Sequence, residues 1–199
     1  MKLTNVFSMQ LMVIRVMSFA NGAKSMSRGV VLLLLAVTSH QTSAVRADDG
    51  PAKNVPELQA LSNYVGTWDV AITSKDSMFT KGESATTWVL DGRFVQQTGV
   101  LKSADGANVI KVTTLMTYDT ERKTYRMWSF LSNGTTSEAS GNWDEKTRTM
   151  TSISRQEGIT TTTTAKFSDN GIEEWLFVTT NQNNEVLGRF GGTNTRRTP

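Results

Sequence analysis

Between residues 66 and 196 the chain never holds a helical period for long. Instead, apolar and polar side chains alternate over short runs, and a turn signal interrupts them roughly every ten residues. Trp68, Val70 and Ile72 alternate with Asp69 and Ala71. Runs over 86–90, 94–101, 109–118 and 124–131 follow, separated by Asp91-Gly92, Ala104-Asp105-Gly106 and 119–123. The pattern continues with a run ending at Trp143, then 149–154, 160–167, 174–180 and 186–194, with Asn133-Gly134, Glu157-Gly158, Asp169-Asn170-Gly171 and Asn183-Asn184 as breaks. A side-chain period of two with turns at this spacing predicts about ten antiparallel strands. Nearly every link is short enough for a hairpin, so the expected fold is an all-β, up-and-down antiparallel barrel, closed so that no long edge is left unpaired. Only 56–64 reads as a helix before the strands. Asn54 is placed to cap it, Pro56 suits its first turn, and Leu58, Leu61 and Val65 share a face.

Charge divides the chain. Residues 1–47 hold five basic residues (Lys2, Arg15, Lys24, Arg28 and Arg46) and no acidic ones, leaving 16 basic against 18 acidic from Asp48 onward. The basic pI therefore belongs to the leader, and no basic face for nucleic acid is expected of the folded domain. Arg28, the apolar run 30–37 and Val45-Arg46-Ala47 form the three parts of an export signal, with cleavage expected after Ala47. The apolar run is far shorter than the ~20 residues that span a bilayer, so a stable membrane anchor is not expected. A start at Met26 would give a leader of ordinary length. The expected organisation is a signal peptide over 1–47, a polar linker over 48–55 and a barrel over 56–199, in an exported, periplasmic or secreted protein.

The residue inventory narrows the chemistry. There is no cysteine, and the single histidine, His40, lies in the leader. Nucleophile systems built on histidine or cysteine are therefore excluded from the expected mature chain, as are the usual zinc and haem ligand sets. No cofactor is expected, and an enzyme is the minority reading. All five tryptophans lie past the leader. Trp88, Trp128 and Trp175 fall mid-strand and are candidates to line a cavity, against the plainer reading of core filling. Arg93, after the Asp91-Gly92 turn, is a candidate to hold a carboxylate or phosphate, and Tyr118 to offer a hydroxyl. Glu173-Glu174 sends one carboxylate inward and one outward. The threonine run 160–164 is explained by strand propensity.

The stretch Leu61-Ser-Asn-Tyr-Val-Gly-Thr-Trp68-Asp-Val70 resembles the entry to a lipocalin-type barrel, in which a short helix leads into Gly-x-Trp. The resemblance implies structural roles for Gly66 and Trp68, with a basic residue of the last strand, Arg196 or Arg197, packed over the indole. Gly66-Thr-Trp-Asp, Trp88-Val-Leu-Asp-Gly-Arg-Phe-Val95, Tyr118-Asp with Tyr125, and Gly141-Asn-Trp-Asp144 together resemble the bacterial family catalogued as domain of unknown function 1579. That likeness implies a calycin-like barrel and no reaction. The leading expectation is a small, largely apolar ligand held inside the barrel. The runner-up is a non-catalytic envelope or interaction module with a filled barrel, followed by a histidine-free isomerase or cyclase using Tyr118, Arg93 and a carboxylate.

Overall fold

A computed structural model describes residues 50–75 and 77–198. The expected leader, its cleavage site, Met26, His40 and the first two residues of the expected linker lie outside the described residues. Ten strands make one closed antiparallel barrel: β1 (Gly66–Ile72), β2 (Lys81–Val89), β3 (Phe94–Lys102), β4 (Val109–Asp119), β5 (Thr124–Leu131), β6 (Thr136–Asp144), β7 (Thr149–Gln156), β8 (Ile159–Phe167), β9 (Ile172–Thr180) and β10 (Val186–Arg196). Each strand pairs with its neighbour in sequence, and β1 pairs with β10 to close the ring, Trp68 opposite Arg196. Closure leaves none of the ten strands with an open edge.

The strands follow the alternation in the sequence, with one instructive extension. β2 starts at Lys81, earlier than the run 86–90, through Lys-Gly-Glu-Ser-Ala, a stretch of weak strand propensity. Pairing on both sides, with β1 and with β3, imposes the extended form there. The threonine run divides by parity. Thr161 and Thr163 share the inward face of β8 with Ala165 and Phe167, while Thr160, Thr162 and Thr164 face out.

The segment before β1 corrects the sequence reading. Pro56–Asn63 forms a 3₁₀-helix rather than an α-helix, and no side chain caps it, Asn54 included. The reason lies in the apolar spacing. Val55, Leu58, Leu61 and Tyr64 recur every third residue and are all buried, whereas Val65 is only partly buried. Three residues per turn stacks exactly such a row on one side. Leu61 and Leu58, at 0% and 1% exposure, plug the end of the barrel, each contributing about 1.5–3 kcal/mol by burial. Around this plug pack Trp68, Trp88, Val95, Met116, Met150 and Phe167.

Residues 50–55 lie on the barrel as well. The Ala52 amide donates to the Gly92 carbonyl at 3.0 Å. Gly92 has φ +73°, and a Cβ there would stand 2.2 Å from the Gly50 carbonyl oxygen, so the Asp91-Gly92 turn needs glycine for both conformation and space.

Candidate ligand site inside the barrel

One end of the barrel is plugged and the other half is not. Thr114, Ser129, Ser154, Thr161 and Thr163 all point inward by register, yet each is only half-buried. Small hydroxyl side chains on five inner positions leave room that larger ones would fill. Several bond across the wall, Thr114 to Ser129 at 2.9 Å and Thr161 to Thr179 at 3.2 Å.

Aromatic rings face these hydroxyls from β9 and β10. Trp175 and Phe177 are successive inward residues of β9, and Phe190 lies opposite Phe177 on β10. The three ring centroids lie 5.2–6.1 Å apart, in edge-on and tilted arrangements that aromatic quadrupoles favour. Gly192, opposite Trp175, makes the space: a Cβ there would stand 2.7 Å from the indole Cζ2. Phe177 faces inward and is still 37% exposed.

Below the aromatic wall sits a polar relay. The Trp175 indole N–H donates to Asn194 Oδ1 at 2.9 Å, and Asn194 Nδ2 donates to Glu173 Oε2 at 2.7 Å. Glu173 is 5% exposed, while its neighbour Glu174 is fully outside, as their parity on the strand requires. Burial pushes the Glu173 carboxyl up to about 7, against the opposing pull of the Asn194 hydrogen bond and the Arg196 charge. Tyr64, buried at the end of the 3₁₀ segment, has its hydroxyl raised by burial first and by the nearby Glu173 carboxylate second. On β2, Ser84 and Thr86 point inward, are 9% and 1% exposed, and their hydroxyl oxygens have no hydrogen-bond partner among the described residues. Unpartnered buried hydroxyls are uncommon and call for an explanation.

The five ligand-binding candidates singled out from sequence fall in five different places. Trp175 stands in the inner aromatic wall. Trp88 is 8% exposed and belongs to the packed core around the plug, not to the open half. Trp128 lies on the outer face, where the Arg126 guanidinium sits 5.2 Å from its ring centroid. The reason is parity: Tyr125 and Met127 share the inward face with Tyr118 and Met116, so Trp128 must point out. Arg93 is exposed on the β2–β3 turn, where its carbonyl accepts from Thr117 Oγ1 at 2.6 Å.

Tyr118 packs edge-on against Tyr125 at 5.0 Å and lines a shallow cleft of about 780 Å³ outside the plugged end, between the 3₁₀ segment and the β6–β7 turn. That cleft contains neither Arg93 nor Glu173. Its groups are largely committed to one another: the Tyr125 hydroxyl donates to the Glu57 carbonyl at 2.7 Å, and Arg148 reaches Asn63 at 2.8 Å.

The entry motif is assembled at the same end. Trp68 is 1% exposed, and its indole N–H donates to the Tyr64 carbonyl at 2.8 Å. Of the two arginines, it is Arg196 that covers the ring, with its guanidinium carbon 4.3 Å from the centroid. Arg197 turns outward to Asp69 and Glu83, at 2.5 and 3.0 Å, tying β10 to β1 and β2 on the surface. Gly66, at φ +129°, leaves the space into which Arg196 fits.

Sequence reasoning passed over Asn194, Phe177, Phe190 and the hydroxyls of Ser84 and Thr86. Only Glu173 carried a usable signal, its position two residues before Trp175 on one strand. No curated protein matches the sequence. The model of a family described as protein of unknown function (DUF1579) matches residues 53–173, more than half of the chain. With the entry motif, the Asp-Gly turn, the plug and strands β1 to β8 inside that match, the chain belongs to the DUF1579 family.

Proposed function

We propose that this protein is an exported, calycin-like carrier that holds one small, largely apolar molecule in the open half of its barrel, without covalent chemistry. Phe177 carries the reading. An apolar ring that points into a barrel and stays 37% exposed marks unfilled space inside, and such surface is normally covered by a ligand. Trp175 and Phe190 extend the same surface, and the unpartnered hydroxyls of Ser84 and Thr86 supply polar anchors of the kind that orient a bound molecule. The three-part leader over 1–47 supports export.

The alternatives receive less support. A barrel filled by its own side chains does not agree with half-buried threonines and serines on the inner wall. An isomerase or cyclase built on Tyr118, Arg93 and a carboxylate lacks a shared cleft for the three. Native mass spectrometry on protein purified under mild conditions from its own envelope tests the proposal. A reproducible adduct that is lost on denaturation, and that is absent after Phe177→Glu, is the expected result. A clean unliganded mass, together with no binding of alkyl or aromatic probes, would overturn it.

A further inference from the structure

The lumen is not uniformly apolar, and the one buried carboxylate among the described residues lies on the same strand face as the aromatic wall. Glu173 and Trp175 are successive inward residues of β9, and Asn194 bridges them with 2.7 and 2.9 Å hydrogen bonds. Asn194 occupies only Oε2 of the carboxylate. Oε1 has no hydrogen-bond partner among the described residues. Unlike the sealed hydroxyls of Ser84 and Thr86, Oε1 keeps some access to solvent, so it is the carboxylate atom left for a ligand to pair with.

Resting on the lumen reading above, we propose that the ligand is an organic amine, whose ammonium group pairs with Glu173 while its apolar body lies along Trp175, Phe177 and Phe190. The chemistry matches both halves of the site. A carboxylate supplies a charge-assisted hydrogen bond to N–H, and electron-rich ring faces attract cations. The groups facing Glu173 do not substitute for the amine. Arg196, from β10, attracts the carboxylate at longer range, but its guanidinium donates to the Val65 and Asn63 carbonyls and stacks on Trp68. Tyr64, from the 3₁₀ segment, and Asn194 are neutral. Above about pH 7 an anionic ligand would bring like charge against Glu173, and a neutral alcohol would leave the carboxylate that forms there unpaired.

Three probes with the same alkyl chain separate this proposal from the lumen reading itself: octylamine, octanol and octanoate, titrated into the purified protein and followed by tryptophan fluorescence and calorimetry. At pH 7.5 octylamine is expected to bind about tenfold more tightly than octanol, and octanoate more weakly than either. Because Glu173 holds its proton up to about pH 7 in the free protein, octylamine must displace that proton. Its affinity therefore rises about tenfold from pH 6 to pH 8, while that of octanol stays level. In Glu173→Gln both the amine preference and the pH dependence disappear, and octanol binding persists. A purely structural role for Glu173 would not produce that combination. Equal affinities for octylamine and octanol in the unaltered protein, or a preference that survives Glu173→Gln, would overturn the amine assignment and leave lumen binding standing. Failure of all three probes to bind would remove the lumen reading, and the amine assignment with it.

Discussion

The guanidinium carbon of Arg196 lies 4.3 Å from the centre of the Trp68 indole, and this stack joins the end of the last strand to the start of the first. The same arginine donates to the Asn63 carbonyl at 2.8 Å and to the Val65 carbonyl, fixing the tail of the 3₁₀ plug. Arg196→Ala therefore removes a cation–π contact and two charge-assisted bonds, and it is expected to lower stability by about 2 kcal/mol. Arg196→Lys should recover less than half of that, since an ammonium lacks the planar fork that stacks and bonds at once. Urea denaturation midpoints of the three proteins check the order.

Gly66 is coupled to that arginine. Its φ of +129° disfavours any side chain, and an added Cβ would stand 3.0 Å from Arg196 Nη1. Gly66→Ala is expected to cost about 2 kcal/mol. Combined with Arg196→Ala, the loss should be less than the sum of the two, because the crowding disappears while the backbone strain remains. A double-mutant cycle in urea measures the shortfall.

Glu173 gives the fold a pH dependence of definite sign. Its carboxyl is raised from an ordinary 4.5 to about 7, so folding favours the protonated form. The stabilisation is complete below about pH 4.5, declines as the pH rises toward 7, and is gone above that. The span corresponds to about 3 kcal/mol. Asp69, Asp105 and Asp119 are held below their ordinary values by hydrogen bonds, and their contributions are lost only as the pH falls through the acid range. The window from pH 5 to pH 7 thus belongs to Glu173. Thermal unfolding across that window should show a falling midpoint in the unaltered protein, and a slope removed in Glu173→Gln.

Thr86 is 1% exposed and its hydroxyl has no partner among the described residues. Thr86→Val keeps the shape and the strand preference while removing the unsatisfied oxygen, so a gain of about 1 kcal/mol is expected in ligand-free protein. A gain in ligand-free protein that turns into a loss when ligand is bound would show that the bound molecule satisfies this hydroxyl.

Much of the fold was legible because alternation is a local property. Successive strand residues face opposite ways whatever lies next to them, so Glu173 and Glu174 could be assigned to opposite faces from sequence alone. Turn residues are local in the same sense: Asp91-Gly92 predicts positive φ, and both residues have it. The 3₁₀ geometry of the plug was also readable, in the buried row at positions 55, 58, 61 and 64, but a helical period of 3.6 pairs Leu61 with Val65 and hides it.

What the residues determined by themselves is the ten-strand rhythm, the inventory without cysteine or a histidine past residue 40, and the membership of tryptophans and turns in that rhythm. The tertiary structure decided the rest. Whether Trp128 faces in or out depends on pairing Tyr118 with Tyr125, and whether Trp88 lines a cavity or a core depends on which end the plug enters. The choice of Arg196 over Arg197 for Trp68 follows from the register of β10 on β1. Glu173 meets Asn194 only because two hairpin strands place residues 21 apart opposite each other. Period and turn chemistry act over a few neighbouring residues, whereas height in the barrel, neighbour across the wall and access to the lumen exist only once the ring has closed.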